Sequence, residues 1–505
     1  MQRTKPGLLI RADASEVIGV GHLMRCLALA EEWRARGGLV TFLTACKLEA
    51  LNARLITSGF DLEQLHALPG SLADIDLTRK TAERIGAGWL VLDGYHFSAE
   101  YQRLVRGEGT RILAIDDFGH ADHYTADLIL NQNLHASAEL YQTKAPHTRL
   151  LLGTRYTLLR SEFRKWIGWQ REIRTPAQRI LVTMGGSDTR RETRMVLDAL
   201  KQVDLPALEV DVVVGSGQSP QSGEFGQIVE SFRGSIQFHE NVSNMPELMA
   251  NADIAVAAGG TTTWERALLG LPSLVGILAP NQMELAEYSE RMGIGKNLGP
   301  FHSLTAPALA REIRLLMLDT AARQRMASRG PEIVDGRGVD RVILKLDASS
   351  LHTRPVEAED CRQIWEWANE PLTRAVSFSS DVIPWEKHVA WFTARLNNPA
   401  CMFLIATDSN AQPIGQVRFD IDGSTAVISM SLDPRFRGLG YGPELIRIGI
   451  QKLFCNSSVT QVNALIRTDN IASQAMCFKT GFLSLGKTQV QGQEAYHLLF
   501  QKGQQ

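Results

Sequence analysis

Short apolar runs recur through the first two thirds of the chain: "GLLI", "LVTFL", "WLVLD", "RILAID" and "DLILN", then "RILVTMGG", "LEVDVVVG", "SIQFHE", "DIAVAAGG" and "PSLVGIL". Stretches with helical spacing of apolar positions separate them. Strands that are apolar on both faces and alternate with amphipathic helices are what a parallel sheet covered on both sides requires, so the pattern predicts an α/β architecture. The segment from Asn131 to Gln178 is weakly patterned, and the strand signal restarts at Arg179. Two doubly wound lobes, about 1–170 and 171–345, are therefore expected, joined near 165–178.

The pattern then changes. A polar stretch, "DASSLHTRP", precedes an acidic helix, "VEAEDCRQIWEWANE", and the strands that follow, "CMFLIATDSN", "PIGQVRFDIDG" and "TAVISMSLD", have hairpin spacing. Consecutive strands followed by a glycine-rich helix entry predict an α+β domain over 350–505 with antiparallel strands.

Length and composition agree with this division and narrow the function. A chain of 505 residues is too long for one core and matches about three folding units. A hydrophobic content of 44% with 21% charged residues is that of a globular protein. The net charge of -2 carries no broad basic surface, so nucleic acid is not an expected partner. Six cysteines without CxxC spacing indicate neither zinc nor a disulfide framework, and reduced thiols point to a cytoplasmic protein. The N-terminal apolar run is too short for a leader, and no run approaches the roughly 20 residues of a membrane span. Nothing in the sequence bears on oligomeric state.

The first chemistry-bearing stretch is "RADASEVIGVGHLMRCLALAEEWRARGG" (Arg11 to Gly38). Gly19 and Gly21 follow a strand, but Met24 stands where a dinucleotide fingerprint needs its third glycine. The glycines instead permit close backbone approach, and the following helix aims free N–H groups at a crevice at the carboxyl end of the strand. His22 stands at that rim. The positive helix end disfavours imidazolium, which keeps the ring neutral and suits a general base for water. Asp13, at the end of the same strand, is the candidate to orient the ring. Asp116 and Asp117 are adjacent, but such pairs cap turns, and no metal is expected.

The second lobe repeats a glycine device twice. "VTMGGSD" ends a strand in Gly185 and Gly186, followed by Ser187 and Asp188, and brings backbone amides against phosphate. In "AAGGTTTWERALLGLPSLVGILAPNQMELAE", Gly259 and Gly260 turn the chain and Thr261 to Thr263 cap a helix. Glu265, one turn in, is placed to accept two ribose hydroxyls.

The run "GG-TTxxE-AxxxGxP" resembles the nucleotide half of two-lobed, GT-B-type glycosyltransferases. More specifically, "RADAS-xIGxGHxMR" with "LDGYH", "IDDF", "LILNQN" and "MGGSD" resembles the UDP-sugar hydrolases of pseudaminic acid biosynthesis over roughly residues 7–345. The resemblance implies UDP-2,4-diacetamido-2,4,6-trideoxy-β-L-altropyranose as substrate, His22 as base, Tyr95 lining the sugar site, Gly21 beside it and Glu265 binding uridine. Asn281 and Gln282 are implied near the cleft.

In the last domain, "MSLDPRFRGLGYGPELIRIGIQKLF" carries Arg435, Arg437, Gly438, Gly440 and Gly442 between a strand and a helix, a nest of amides for a pyrophosphate. "LIRTDNIASQAMCFKTGF" follows, with Asn470 and Ser473 at a helix entrance. Together these resemble the GNAT N-acetyltransferases over 350–500, specifically the group with ribosomal-protein and amino-sugar acetyltransferases. The resemblance implies acetyl-CoA as co-substrate, held by that nest and by strand amides near Met430 and Leu432. Trp365, Trp367 and Trp391 are expected in the core. Many relatives carry a tyrosine four residues before the Gly-Phe pair; here it is Cys477, so the acid that protonates the leaving thiolate is unassigned.

The fusion implies a bifunctional enzyme in which the 4-amino group of a UDP-sugar is acetylated before UDP is removed. Two alternatives stand beside this reading: a glycosyltransferase with a hydroxyl acceptor, and a non-catalytic protein that binds UDP-sugars or acetyl-CoA.

Overall fold

The computed structural model describes residues 6–15, 19–185, 191–203, 205, 208–214, 225–240, 242–347, 351–408 and 411–503. The chain divides into two compact units, Met1–Ile343 and Leu344–Gln505.

The first unit holds two parallel sheets. One consists of β1 (Gly7–Ala12), β2 (Val40–Thr44), β3 (Asp61–Gln64), β4 (Ala87–Asp93), β5 (Arg111–Ile115), β6 (Leu128–Asn131) and β7 (Arg149–Leu152), in the order β3-β2-β1-β4-β5-β6-β7. The other consists of β8 (Arg179–Thr183), β9 (Glu209–Val214), β10 (Ser235–Glu240), β11 (Ile254–Ala258), β12 (Ser273–Ile277) and β13 (Lys296–Pro300), in the order β10-β9-β8-β11-β12-β13. Central strands such as β1, β4, β11 and β12 are buried almost throughout, as their continuous apolar runs require. The strands β3, β7 and β13, absent from the expected set, all lie at sheet edges, where one side needs no partner and the apolar signal weakens.

Each order reverses once, between β1 and β4 and between β8 and β11. Open α/β sheets bind ligands outside the carboxyl ends of the strands at such a reversal, because the flanking connections leave on opposite faces and open a crevice. His22 follows β1, Tyr95 follows β4, Gly185 follows β8 and Gly260 follows β11, so the candidate residues collect at both reversals.

The helix after β1, Gly21–Ala35, buries Leu23, Cys26, Leu27, Leu29, Ala30 and Trp33. Each leucine so buried contributes about 1.5–3 kcal/mol. It ends where Gly37, at φ 84°, takes the left-handed conformation that closes a helix, its amide bonded to the Arg34 carbonyl. At the far end of the unit, the helix Gly338–Leu346 returns to the first lobe: the Arg36 guanidinium donates to Asp340 at 3.1 Å and Arg341 to the Arg155 carbonyl at 2.7 Å.

The second unit is one mixed sheet of β14 (His352–Pro355), β15 (Cys401–Thr407), β16 (Pro413–Asp422), β17 (Thr425–Leu432), β18 (Gln461–Arg467), β19 (Leu483–Val490) and β20 (Gln493–Gln501), ordered β14-β15-β16-β17-β18-β20-β19. The neighbours are antiparallel as expected, except β17 and β18, which run parallel. The helix Tyr441–Asn456 supplies the crossover between them.

Candidate active sites

In the first unit the site is built on one fully buried guanidinium. Arg25, one turn beyond His22 on the same helix, donates to both oxygens of Asp93 at 2.7 Å each and to both oxygens of Asp117 at 2.8 and 3.1 Å. Asp93 ends β4 and Asp117 follows β5, so the helix after β1 is bolted to the ends of two neighbouring strands. Losing one partner of such a pair would cost about 3–5 kcal/mol, since a charge would stay buried without compensation. Tyr95 donates its hydroxyl to Asp117 at 2.8 Å and sets its ring edge-on to His22, centroids 5.1 Å apart. Burial, then the Asp117 charge, push the Tyr95 hydroxyl well above the ordinary tyrosine value, so Tyr95 acts here as a donor and a wall rather than a proton source.

His22 is 8% exposed. No side chain caps the first turn of its helix. Burial lowers its pKa below the ordinary histidine value; Asp93 and Asp117 pull the other way, Arg25 and His96 add to the lowering, and the net effect is a neutral ring. Nδ1 is sealed and has no hydrogen-bond partner among the described residues, which leaves Nε2 as the nitrogen open to a ligand.

Asp13 does not orient this ring. Its Oδ1 accepts from Arg11 at 2.6 Å and from the Ala45 amide at 2.7 Å, while Oδ2 lies 3.3 Å from His96 Nε2. The carboxylate beside His22 is Asp93, 3.8 Å from Nδ1. Strand order explains the exchange: β4 lies beside β1, so the acid at its end reaches the helix that follows β1. Asp93, Arg25 and Asp117 were missed as site residues, although an acid ending the buried run "WLVLD" and an arginine three positions after His22 were visible signals. Asp116 caps its turn, accepting from the amides of Asp117 and Gly119 at 2.7 and 2.8 Å.

From the second lobe, Thr261 meets Gly21 so closely that a Cβ there would lie 3.3 Å from its side chain. Glu265 is buried and already bound by Arg160, at 2.7 and 2.8 Å. Gly185, at φ 76°, and Gly260 have open space where a side chain would stand. Gly186, Ser187 and Asp188 lie outside the described residues. Gln282 closes its own turn by accepting the Leu278 amide at 2.9 Å, and Asn281 beside it is exposed. Among the described residues no cluster of three or more His, Cys, Asp or Glu has metal-binding geometry.

The second unit presents a different construction. β17 and β18 pair only from Thr425 to Val427 against Gln461 to Asn463, then diverge. β17 stays bonded to β16 as far as Leu432, and β18 to β20 as far as Arg467, so a wedge opens between them. Alternate main-chain groups of Ile428–Leu432, Met430 and Leu432 among them, lose their strand partner there. Gly438 (φ 74°) and Gly440 (φ 105°) turn the chain from the end of β17 into the Tyr441–Asn456 helix. Gly440 is its N-cap, in a conformation that other residues adopt only under strain.

The arginines of this turn are occupied. Arg435 donates to Asp433 at 2.9 and 2.8 Å. Arg437 donates to the Leu432 carbonyl at 3.1 Å, to Glu370 at 2.7 Å and to Thr373 at 2.8 Å. Against burial, which would raise it, Arg437 and the amides of Thr373 and Leu372 hold Glu370 at about 2. Gly442 has a packing reason, since a Cβ there would stand 2.4 Å from Met476 Sδ. Asn470 spends its carboxamide on the Ser473 amide at 3.1 Å, capping the Ile471–Lys479 helix. Trp367 is buried with its Nε1 on Asp433 at 3.1 Å. Cys477 sits in the core, its thiol pushed up to about 12 by burial.

This diverging pair of strands with its glycine turn coincides with a sequence match to the Acetyltransferase (GNAT) domain family at 350–483. Residues 350–483 form a GNAT domain. The remainder of the chain has relatives of its own. It is similar to the spore coat polysaccharide biosynthesis protein SpsG of Bacillus subtilis, 25% identical over 341 residues, 66% of this chain and 95% of that protein. It is similar also to the UDP-2,4-diacetamido-2,4,6-trideoxy-β-L-altropyranose hydrolase of Campylobacter jejuni, 25% identical over 245 residues, 47% of this chain and 80% of the hydrolase. In fold it matches the crystal structure of Acinetobacter baumannii MurG, with a TM-score of 0.50 at 17% identity over 68% of this chain and all of that one. The chain is therefore a two-lobed GT-B-type unit fused to a GNAT domain.

Proposed function

We propose that the chain is a bifunctional sugar-modifying enzyme: the first unit hydrolyses a UDP-linked amino sugar and the GNAT domain N-acetylates that sugar with acetyl-CoA. The observation that carries the hydrolytic half is the buried, neutral His22 at the sheet reversal, with Thr261 of the second lobe against its neighbour Gly21. In this reading a water oxygen attacks the anomeric carbon, its proton passes to His22 Nε2, and the bond from that carbon to the UDP oxygen breaks with inversion. Gly185, Gly260 and Thr261 line the departing diphosphate, and Glu265, fixed by Arg160, faces the nucleoside. The similarity to the Campylobacter hydrolase supports UDP-2,4-diacetamido-2,4,6-trideoxy-β-L-altropyranose as the compound cleaved.

In the GNAT domain, strand amides near Met430 and Leu432 bind the pantetheine arm, and the turn through Gly438 and Gly440 binds the diphosphate of acetyl-CoA. The neutral acceptor nitrogen attacks the thioester carbonyl and gives up a proton, the C–S bond breaks, and CoA leaves as the thiol after its sulfur takes up a proton. Acetylation of the 4-amino group comes first, because the hydrolysed compound is already diacetylated.

The test supplies the full chain with the UDP-linked 4-amino-sugar and acetyl-CoA and follows acetylated nucleotide, free sugar and UDP by mass spectrometry. The expected order is acetylated UDP-sugar, then free diacetamido sugar with UDP. Release of UDP only when a hydroxyl acceptor is added would make the first unit a glycosyltransferase, and binding without turnover would make the chain a sensor.

A further inference from the structure

We propose that Asp93 is the positioning residue of His22, holding the ring with its proton on Nδ1 and balancing the positive charge that the ring acquires when Nε2 takes a proton. The inference rests on the reading of His22 as the base.

Geometry comes first. Nδ1 is buried, without a hydrogen-bond partner among the described residues, and points to Asp93 Oδ1 at 3.8 Å. That separation exceeds a hydrogen bond, as catalytic contacts often do before substrate binds, and it lies within ion-pair reach of the carboxylate. Asp93 cannot swing away, because both of its oxygens are held at 2.7 Å by Arg25, and the Cys26 thiol donates to Oδ2 at 3.4 Å. The edge-on Tyr95 ring restricts His22 from another side.

Charge comes second. The groups that act on the ring are Asp93 from β4, Asp117 after β5, Arg25 on its own helix and His96 after β4. With the imidazole neutral, Arg25 is one cation between two carboxylates, so the buried cluster carries one negative charge in excess. Protonation of His22 cancels that excess without moving a residue. An environment arranged in advance for the charge that develops is the kind that lowers a barrier, because nothing needs to reorganise as the proton moves. Asp13, nearer than Asp93 in sequence, turns its Oδ2 to His96 at 3.3 Å rather than to His22.

Two measurements test the proposal. The first needs no substitution at Asp93: the full chain, labelled with ¹⁵N-histidine, gives the tautomer of neutral His22 from its nitrogen shifts, with His22→Gln assigning the signal. The Nδ1–H form is expected; the Nε2–H form would overturn the proposal. The second is Asp93→Asn, for which kcat of UDP release from the UDP-diacetamido sugar falls roughly a hundredfold to ten-thousandfold with KM little changed. The acid limb of its pH profile moves to lower pH, since one negative charge near the ring is gone, and Asp93→Glu recovers part of the rate. CoA release by the GNAT domain and thermal melting report whether the variant is folded; if it is not, the tautomer decides. An Asp93→Asn enzyme with the wild-type kcat, or with a uniform loss and an unmoved acid limb, would sink the idea. Absence of UDP release from wild-type protein would remove the hydrolase reading instead, while the tautomer still reports on Asp93.

Discussion

Around His22 the groups that matter are side chains: one imidazole, one guanidinium, two carboxylates and a phenol, drawn together from three strand ends. Between β17 and β18 they are main-chain amides and carbonyls, exposed by the divergence of two strands and by two glycines with positive φ. A site made of buried charges responds to pH and fails when a single side chain is removed. A site made of backbone tolerates truncation of its side chains and fails when a side chain is added.

That contrast can be broken most sharply at His22. His22→Ala is expected to lower UDP release by about a hundredfold to ten-thousandfold, while CoA release from acetyl-CoA and the amino sugar continues at the wild-type rate. Parallel assays of UDP and free thiol on the same preparation read both numbers. A joint fall would mean that the two sites are not independent.

The reverse experiment adds a Cβ where the second site has none. Gly440→Val forces a branched residue into φ 105°, a strain of about 1–3 kcal/mol at the turn. Acetyl transfer should weaken by roughly fivefold to 150-fold through KM for acetyl-CoA, with UDP release unaffected. Steady-state kinetics at varied acetyl-CoA checks it.

Acidity separates the units next. Burial lowers the His22 pKa, so the ring remains a base below the ordinary histidine value of 6.5. The acid limb of kcat/KM for UDP release should therefore have its midpoint below that value. Acetyl transfer should lack this limb.

The smallest effect expected is on stability. Arg437→Ala frees Glu370, and because this pair is partly exposed the loss should be near 1 kcal/mol. Glu370 is held below its ordinary 4.5, so its contribution is present above about pH 4.5 and disappears as pH falls toward 2. The difference in Tm between Arg437→Ala and wild type should follow that window.

Much of the architecture was legible along the chain. The central strands announce themselves because burial on both faces demands unbroken apolar runs, and Gly438 and Gly440 because a backbone turn with positive φ has few other solutions. Edge strands such as "DLEQ" and "KNLGP" did not, since half of their surface has no apolar neighbour to satisfy. At the first site His22 stands at the expected helix entrance, but the carboxylate beside it is Asp93, from another strand, and not Asp13, from the strand that precedes the helix. Arg437, expected among the acetyl-CoA ligands, also ties its turn to Glu370, 67 positions away.

What the sequence alone determined is local: where strands are buried, where helices begin, and where a turn admits only glycine, because each follows from a few adjacent residues and their solvation. What only the tertiary structure decided is which charges meet. Arg25 reaches Asp93 across 68 positions and Asp117 across 92, and those encounters exist because the crossover lays β4 beside β1 and β5 beside β4. Pairing over such distances is set by sheet order, which no short stretch of chain encodes.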